Sequence, residues 1–420
     1  MYAFKVTGGT SLNGTIEVKG AKNAVLPMMA AALLTDEPIT LENISYLSDV
    51  KIQSQLLESL GVKITQHDNA ITLQANAIHS YRAAYEFVSK MRASFWVLGP
   101  LVGRFGQAAV SLPGGCAIGA RPSDIYFAAL ESMGATVAVE NGYVMAQGPL
   151  HGADVSFRRI SVGATHNTIM AAVLTKGTTT IYNAAREPEV VDLINLLNKM
   201  GAKIEGAGTN KITITGVEKL HGATHSVVTD RIETASFAIA AALTKGNIFI
   251  KGGRKEFIEP IAETLHLCDV RLTQTPEGLA VDATKAILRP TSITTSEYPG
   301  FPTDAQSPIT TLLALAGGIS FIEERIYENR FMHVPELNRM GAHIIVLPND
   351  TICIKGVTEL SGATVMSSDL RGGMALVLAG LVAKGTTIVK RIYHIERGYY
   401  KLEERLKALG AKIERIYLNE

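Results

Sequence analysis

The chain has 420 residues, of which 47% are hydrophobic and 19% charged, with 40 basic and 39 acidic side chains. The net charge of +1 shows no excess of basic residues of the kind expected in a general nucleic-acid or membrane-surface binder. No apolar run approaches the roughly 18 residues of a membrane span, and the first residues lack the charged and apolar regions of a signal peptide. We therefore expect an ordered, cytoplasmic protein of two or three domains without a nucleic-acid or membrane partner, in which local clusters of Arg and Lys bind any anionic ligand.

One short phrase recurs six times along the chain at a spacing of about 70 residues, which indicates an internally repeated fold. Each copy follows a pattern typical of an amphipathic helix, carries a small residue, usually Gly, where that helix should end, and leads into a strand. The copies occupy residues 60–64, 133–137, 200–204, 268–272, 340–344 and 409–413.

A second phrase joins a helix of small apolar residues to a Gly and a β-branched strand, as at 171–181, 240–250 and 379–388. Because such a helix is apolar all round, it must be buried. A third phrase predicts the last strand of a hairpin in five of the six units, and residues 2–6 can replace the sixth copy, which is missing after Ile413. Each unit therefore reads β-α-β-α-β-β.

These units predict an α/β fold, specifically a two-domain inside-out α/β barrel with six β-α-β-α-β-β repeats, three in each domain. Residues 22–229 would form one domain, and residues 1–21 plus 230–420 a discontinuous second one, with the crossings near Gly20-Ala21 and Thr229-Asp230. The apolar helices would be central, with amphipathic helices and sheets around them. We expect the active site in the interdomain cleft.

Polar side chains recur at one phase of the repeat, where each buried helix begins. Helix N-termini carry unpaired N–H groups and about half a positive charge, so they are ready anion sites. Ordinary helix capping accounts for one or two of the six positions, since Asp and Asn are good caps, but poorly for the whole set. The positions are Lys22-Asn23, Met91-Arg92, 162–165, Asp230-Arg231, Thr303-Asp304 and Leu370-Arg371.

Cys116 lies in the stretch 112–124, which is too rich in Gly and Pro for a helix or strand interior. Its flanking Gly pairs let the backbone approach a ligand closely, and Arg121 supplies a planar guanidinium for phosphate or carboxylate. Taken alone, the stretch is equally compatible with a surface turn around a buried thiol. Cys268 and Cys353 lie in apolar patterns typical of the core, and the three cysteines have no zinc-site spacing, so we expect no metal site.

A series of specific motifs then points to a known family. They lie at 19–23, 91–94, 113–116, 120–122, 230–234, 301–304, 328–331, 391–394 and 397–399. On these residues the chain resembles the UDP-N-acetylglucosamine enolpyruvyl transferases of the EPSP synthase superfamily, essentially from Met1 to the C-terminus. The resemblance implies two domains of three repeats, phosphoenolpyruvate and UDP-N-acetylglucosamine as small-molecule substrates, and no cofactor.

The resemblance also implies a reaction, the first committed step of peptidoglycan synthesis. The sugar 3-hydroxyl attacks phosphoenolpyruvate, and the tetrahedral intermediate loses phosphate to leave an enol ether. Cys116 would protonate the methylene as a thiol, or add covalently as the thiolate, and in the family this residue is the target of fosfomycin. Asp304 is the best candidate to accept the sugar hydroxyl proton, with a simple helix cap as the alternative.

The remaining site residues follow from the resemblance, position by position. Clustered cations can hold the anionic substrate and stabilise charge in the addition step. The catalytic set is Cys116, Asp304, Lys22 and Arg397, and the phosphoenolpyruvate ligands are Lys22, Asn23, Arg92, Arg121, Arg371 and Arg397. The UDP-N-acetylglucosamine ligands are Asn23, Arg92, Arg121, Pro122, Ser123, Asp124, Ile125, Arg159, Ser161, Val162, Gly163, Asp304 and Ile326.

Three further residues qualify this picture. Tyr126 stands where the family usually has His, so its contact to the nucleotide is open, and His166 replaces a more usual apolar residue. Neither belongs to the catalytic set. Arg397 is expected to begin the last amphipathic helix, where a solvated helix charge is the alternative to a ligand.

Two other functions compete with this reading. The sister transferase that acts on shikimate 3-phosphate shares the fold, but the Gly-Gly-Cys stretch and the uridine-side matches argue against it. A DNA sliding clamp is also built from six repeats, but it should line its pore with basic helices, whereas these helices are small and apolar.

Overall fold

A computed structural model describes residues 1–88, 92–112 and 123–418, and of residues 92–94 it describes the backbone. The described residues pack into two compact units. Unit 1 comprises the described residues of 1–18 and 229–418, and unit 2 comprises those of 19–228. These boundaries lie beside the crossings that the sequence predicts, while the assignment of two functional domains with a cleft between them stays a prediction.

The strands are short, in keeping with a fold of small repeated sheets. They are β1 (Tyr2–Thr7), β2 (Asn13–Glu17), β3 (Ile39–Glu42), β4 (Lys63–Gln66), β5 (Ala70–Gln74), β6 (Arg82–Ala83), β7 (Gln107–Ser111), β8 (Thr136–Glu140), β9 (Tyr143–Gln147), β10 (Asp154–Ser156), β11 (Thr178–Tyr182), β12 (Lys203–Glu205), β13 (Lys211–Thr215), β14 (Ala223–Ser226), β15 (Asn247–Lys251), β16 (Arg271–Gln274), β17 (Gly278–Asp282), β18 (Ser292–Thr294), β19 (Ile319–Glu323), β20 (His343–Leu347), β21 (Thr351–Lys355), β22 (Thr364–Met366), β23 (Thr386–Lys390) and β24 (Lys412–Tyr417).

The helices alternate between buried and amphipathic along most of the chain. They are α1 (Lys22–Ala31), α2 (Ser48–Leu60), α3 (Tyr85–Val88), α4 (Leu98–Phe105), α5 (Asp124–Ser132), α6 (Val162–Ala172), α7 (Pro188–Lys199), α8 (Arg231–Thr244), α9 (Glu259–Leu267), α10 (Thr303–Ala314), α11 (Val334–Arg339), α12 (Leu370–Val382) and α13 (Leu402–Ala408). Short 3-10 helices lie at Ala32–Leu34, Arg92–Val97, Lys255–Phe257 and Ile392–Arg397.

Within the described residues, the strands form six four-stranded sheets with one shared order. In each sheet two strands pair parallel, and the third and fourth strands follow antiparallel. The six copies agree with the predicted repeats. Unit 1 holds β2-β15-β17-β16, β18-β19-β21-β20 and β22-β23-β1-β24, and unit 2 holds β14-β3-β5-β4, β6-β7-β9-β8 and β10-β11-β13-β12.

The N-terminal strand β1 completes the last sheet of unit 1, which confirms the prediction that residues 2–6 replace the missing sixth copy. Its residues Tyr2–Thr7 pair antiparallel with Lys412–Tyr417 of β24, and its second half pairs with β23. Phe4 and Val6 point into the core, whereas Lys5 is exposed. The two ends of the chain are therefore held in one sheet.

Two strands pair outside the repeat that they precede in sequence. β2 precedes α1 but pairs parallel with β15 in unit 1, and β14 precedes α8 but pairs parallel with β3 in unit 2. The chain therefore passes from one unit to the other directly after each of these strands.

Each unit buries the helices that the sequence predicts as apolar all round. Every residue of α8 is buried, and its small side chains let it pack against α10 and α12. Asp230 begins α8, because its carboxylate accepts hydrogen bonds from the N–H groups of Ile232 at 2.9 Å and Glu233 at 3.0 Å. The α/β class is confirmed, and the inside-out barrel stays a prediction.

Among the described residues, no helix combines the length and the apolar character that crossing a membrane requires.

The small residue of each repeated phrase ends an amphipathic helix in the left-handed backbone conformation. In the fourth copy Asp269 takes this conformation at φ 59°, since Asp tolerates it better than most side chains. The other five copies use Gly, with φ 107° at Gly61, 97° at Gly134, 100° at Gly201, 92° at Gly341 and 97° at Gly410.

Two sequence expectations are wrong in detail. Arg397 ends the 3-10 helix Ile392–Arg397 instead of beginning the last amphipathic helix, and α13 starts only at Leu402, because Gly398 after Arg397 favours a helix stop. Cys353 lies in β21 but is half-buried, since the alternating Ile352 and Ile354 occupy the inward positions.

We predict that Phe4→Ala lowers the free energy of unfolding of unit 1 by about 3–5 kcal/mol, because it leaves a cavity where β1 closes the last sheet. Urea denaturation followed by circular dichroism measures this loss. Lys5→Ala is the matched control in the same strand, and it should change the free energy by less than about 0.5 kcal/mol, since its ion pair with Glu414 is exposed and 4.0 Å long. Equal effects of the two substitutions would contradict the role of β1.

Candidate active site

In unit 1, the starts of two buried helices bring a carboxylate and a guanidinium together. Asp304 is the second residue of α10, and Arg371 is the second residue of α12. Asp304 Oδ2 accepts hydrogen bonds from Arg371 Nε at 3.2 Å and Nη2 at 3.0 Å. Arg330, just before α11, donates from Nη2 to Asp304 Oδ1 at 2.7 Å. Two residues of the predicted site thus lie in contact, and Arg330 joins them.

Burial makes this cluster electrostatically strong. The side chain of Asp304 is 26% exposed, whereas those of Arg330 and Arg371 are 4% and 2% exposed. Burial by itself would raise the pKa of the Asp304 carboxyl, but the charges of Arg371 and Arg330 outweigh it and hold that pKa well below its usual range. In this arrangement Asp304 is ionised and a weak proton acceptor.

Two contacts hold Arg371 in place, one to its backbone N–H and one to its guanidinium. Asp369 caps α12, where its carboxylate accepts hydrogen bonds from the N–H groups of Arg371 at 2.9 Å and Gly372 at 3.0 Å. The guanidinium carbon of Arg371 lies 5.4 Å from the centroid of the Tyr399 ring, and the Tyr399 hydroxyl is 2.7 Å from Ser236 Oγ on α8. Arg371 is therefore a preorganised, buried cation.

Two further predicted residues lie on neighbouring segments of unit 1. Ile326 is half-buried in the turn that follows β19, four residues before Arg330. Arg397 is half-buried at the end of its 3-10 helix, two residues before Tyr399. Sequence reasoning assigned Arg330 no role, although it lies in the quoted motif 328–331.

In unit 2, the first residue of α1 forms a buried ion pair. Lys22 Nζ lies 2.6 Å from Asp49 Oδ2, with side chains that are 11% and 0% exposed. Asn23 is half-buried beside Lys22. Sequence reasoning missed Asp49, and the signal was an acid on the same helix face as the buried Val50 and Gln53 of α2.

Six of the predicted nucleotide ligands of unit 2 lie at two other helix starts. Arg159 is exposed, and its neighbour Arg158 forms the ion pair to Asp124, at 2.5 Å. The hydroxyl of Ser161 caps α6 by accepting a hydrogen bond from the N–H of Ala164 at 3.3 Å. The start of α5 carries Ser123, Asp124 and Ile125, and the start of α6 carries Ser161, Val162 and Gly163.

Tyr126 contacts the first turn of α6. A Cβ atom on Gly163 would lie 2.0 Å from the Tyr126 hydroxyl oxygen and 3.6 Å from Trp96 Nε1, so a larger residue at this position would require the Tyr126 side chain to move. The Tyr126 ring packs edge-on against Phe95, with 5.1 Å between the ring centroids. Tyr126, which replaces the His usual in the family, therefore places its hydroxyl beside the start of α6, where the sequence predicts nucleotide ligands.

His166, the other departure, is a core residue of α6. It is fully buried, and its ring packs edge-on against Trp96 at a centroid distance of 5.6 Å. Burial lowers the pKa of His166 to about 4, and the backbone of Glu189 opposes this only in part. His166 is therefore neutral at pH 7 and packs as an apolar residue would.

Four predicted site residues cannot be located in this way. Cys116, Arg121 and Pro122 lie outside the described residues, as does the side chain of Arg92, whose backbone begins the 3-10 helix Arg92–Val97. Their roles stay predictions from the sequence.

Comparison with known proteins relates the whole chain to one family. Residues 6–406 match the family model described as EPSP synthase (3-phosphoshikimate 1-carboxyvinyltransferase). The chain is 50% identical over 415 residues to the UDP-N-acetylglucosamine 1-carboxyvinyltransferase of Dinoroseobacter shibae, with 98% of each chain covered. It is 49% identical over 428 residues to the enzyme of the same name from Afipia carboxidovorans, with 99% and 100% covered.

Solved structures of similar fold include two enolpyruvyl transferases. The enolpyruvyl transferase NikO from Streptomyces tendae superposes with a TM-score of 0.88 at 24% identity, with 99% of each chain covered. EPSP synthase from Acinetobacter baumannii superposes with a TM-score of 0.75 at 18% identity, with 99% and 100% covered. At these identities, the likeness supports the fold alone.

We predict that His166→Leu removes one source of acid sensitivity from unit 2. The pKa of His166 is about 4 in the folded protein and about 6.5 in an unfolded chain, so the unfolded state binds more protons between these values. The His166 contribution to stability is therefore complete above pH 6.5 and is lost as the pH falls towards 4, by about 3 kcal/mol.

Urea denaturation of wild type and His166→Leu at pH 7 and pH 4 measures the difference. Substitution of the exposed His79 by Leu is the control and should leave the acid sensitivity of the wild type in place. The prediction would be wrong if the difference in free energy of unfolding between wild type and His166→Leu were the same at pH 7 and pH 4.

Proposed function

Because the chain belongs to the EPSP synthase family and, within it, to the UDP-N-acetylglucosamine 1-carboxyvinyltransferases, we propose that it transfers the enolpyruvyl group of phosphoenolpyruvate to the 3-hydroxyl of UDP-N-acetylglucosamine and releases phosphate. The observation that carries this proposal is an identity of 49–50% to enzymes of that name over nearly the whole chain. The reaction would be the first committed step of peptidoglycan synthesis.

The proposal extends to the arrangement of the site. Residues 22–229 would form the domain with the Cys116 stretch, residues 1–21 plus 230–420 the second domain, and each would be an inside-out α/β barrel. Substrates would bind in the cleft between them. Two observations support this proposal. The three sheets of each unit have the same strand order, and polar side chains cluster at the starts of buried helices. The cytoplasmic location and the absence of nucleic-acid and membrane partners stay predictions.

In the addition step, the sugar 3-hydroxyl oxygen bonds to C2 of phosphoenolpyruvate. The hydroxyl proton passes to the Asp304 carboxylate, and the Cys116 thiol gives its proton to the methylene carbon C3. The result is a tetrahedral intermediate that still carries phosphate on C2, with a thiolate on Cys116 and a proton on Asp304. In elimination, the Cys116 thiolate takes a proton from C3, the C2–O bond to phosphate breaks with its electrons leaving on phosphate, and the double bond re-forms as the enol ether. The departing phosphate accepts the proton from Asp304, so both side chains return to their starting states.

Asp304 becomes a usable base only when its cationic surroundings change. With both guanidiniums on the carboxylate, its pKa lies well below its usual range, and proton transfer from an alcohol is unfavourable. The carboxylate and phosphate of phosphoenolpyruvate compete with Asp304 for the guanidinium of Arg371. A substrate anion that shares the Arg371 guanidinium would weaken the effect of its charge on Asp304, so the pKa of Asp304 would rise and substrate binding itself would activate the base.

Cations at the helix starts would hold the anionic substrate and the charge that develops in the addition step. Lys22 is suited to this, because Asp49 fixes its ammonium in place at 2.6 Å. The proposed phosphoenolpyruvate ligands are Lys22, Asn23, Arg92, Arg121, Arg371 and Arg397. The proposed nucleotide-sugar ligands are Asn23, Arg92, Arg121, Pro122, Ser123, Asp124, Ile125, Arg159, Ser161, Val162, Gly163, Asp304 and Ile326. The reaction as written needs no cofactor.

We predict that the purified protein converts UDP-N-acetylglucosamine and phosphoenolpyruvate to free phosphate and the enolpyruvyl ether, which mass spectrometry identifies. Asp304→Asn should lower kcat by about 100-fold or more, because the amide cannot accept the hydroxyl proton. Phosphate release that depends on shikimate 3-phosphate, and not on UDP-N-acetylglucosamine, would overturn the proposed function.

We predict that fosfomycin labels Cys116 alone. Intact-mass measurement should find one adduct on the wild type and none on Cys116→Ala, in which Cys268 and Cys353 remain. Cys268→Ala is the control and should label like the wild type, since burial raises the pKa of that thiol and keeps it inert. An adduct on Cys116→Ala would move the reactive thiol elsewhere.

A further inference from the structure

The carboxylate of Glu324 ties together three segments of unit 1. Glu324 follows β19 and is 2% exposed. Its Oε1 accepts hydrogen bonds from the Thr295 hydroxyl at 2.8 Å and from the N–H groups of Ile326 at 2.9 Å and Tyr327 at 3.2 Å. Its Oε2 accepts the hydroxyl of Thr303, the first residue of α10, at 2.9 Å. One buried side chain thus fixes both the Ile326 turn and the start of α10.

Hydrogen bonds through Thr303 and Arg330 connect Glu324 to Asp304. Thr303 Oγ1, which donates to Glu324, accepts a hydrogen bond from Arg330 Nη1 at 2.9 Å. The other terminal nitrogen of Arg330, Nη2, donates to Asp304 Oδ1 at 2.7 Å. Arg330 is therefore anchored at one nitrogen while it orients Asp304 with the other.

The repeats indicate that the fold itself does not require this carboxylate. β19 has a counterpart in every other sheet, namely the inner strand of the parallel pair. The residues that directly follow these counterparts differ in type from Glu324, and none of them is acidic. They are Asn43 after β3, Leu112 after β7, Asn183 after β11, Gly252 after β15 and Arg391 after β23.

We propose that Glu324 is a positioning residue of the enolpyruvyl transfer, which orients Asp304 through Thr303 and Arg330 and holds the Ile326 turn in place for the nucleotide sugar. This inference rests on the proposed function. A carboxylate suits the task because both of its oxygens accept hydrogen bonds, whereas Gln offers one acceptor and one donor and can satisfy only one side of the network.

The network also assigns different tasks to the two arginines on Asp304. Arg330 is tethered through Thr303 and stays on the carboxylate, whereas Arg371 is the guanidinium that Asp304 would share with the substrate. Loss of the tether should loosen Arg330 and weaken its hold on Asp304. Among the residues that the structure describes, the charged and titratable groups that face Asp304 are Arg371 and Arg330, and those that face Arg330 are Asp304, Asp369, Tyr327, Glu324 and His333.

Steady-state kinetics of four variants test the proposal. Thr303→Val should lower kcat about tenfold with little change in KM for UDP-N-acetylglucosamine, because it removes the hydrogen bonds that join Thr303 to Glu324 and to Arg330 but keeps those from Glu324 to the Ile326 turn. Its acid limb in the pH profile of kcat should move to higher pH, since a looser Arg330 lowers the pKa of Asp304 less. Glu324→Gln should lower kcat and raise KM together, for a combined loss of about 10–100-fold in kcat/KM.

Two substitutions serve as controls. Glu323→Gln makes the same change one residue earlier, where the side chain pairs with Arg325 at 2.8 Å, and it should keep wild-type kinetics. Thr295→Val removes one hydrogen bond from Glu324 on the side away from Asp304, and it should lower thermal stability while it leaves the pH profile in place.

The outcomes separate the possible failures. If wild type makes no enolpyruvyl ether, the proposed function fails. If wild type is active but Thr303→Val and Glu324→Gln lose activity only in proportion to their folded fraction, with unchanged KM and pH profile, Glu324 is a structural residue and the positioning proposal is wrong. Should Glu324→Gln not fold, Thr303→Val alone decides through its pH profile.

Discussion

The constraint on which this structure depends is that a helix of small apolar residues has no side that can face water. α8 is buried along its whole length, and it can be so only because α10, α12 and the surrounding sheets cover it. Each repeat supplies one four-stranded sheet to this cover, and no repeat buries its own helix alone. The last of these sheets is completed by β1, which comes from the opposite end of the chain.

The same constraint decides where charge can lie. Charged side chains are excluded from the middle of a buried helix, and the first turn is where unpaired N–H groups favour polar partners. Asp304 and Arg371 are both second residues of their helices, so packing of α10 against α12 brings them within 3.0 Å. An exposed pair of this kind would contribute little, but the guanidiniums of Arg330 and Arg371 are almost fully buried, and they control the pKa of Asp304.

A repeated fold also offers its own internal comparison. Positions that share a structural task carry similar residues, as the left-handed helix ends at Gly61 and its counterparts do. Glu324 departs from its counterparts in the repeats and joins the Ile326 turn to Asp304, whereas His166 departs from the residue usual in the family and is a neutral, buried ring. The first departure acts on the candidate site and the second on packing. The contacts that Glu324 and His166 make in the folded chain, and not their residue types, show which of them bears on the candidate site.

The sequence by itself determined the repeats, the buried helices, their starts and the replacement strand β1, because each depends on local composition and spacing. It also marked Asp304 and Arg371 by their phase in the repeat. Only the tertiary structure decided the partners: Arg330 on Asp304, Asp49 on Lys22, and Glu324 among three segments of unit 1. These contacts join residues that lie far apart in the chain, and no local pattern encodes which buried side chains come within hydrogen-bond distance once the helices pack.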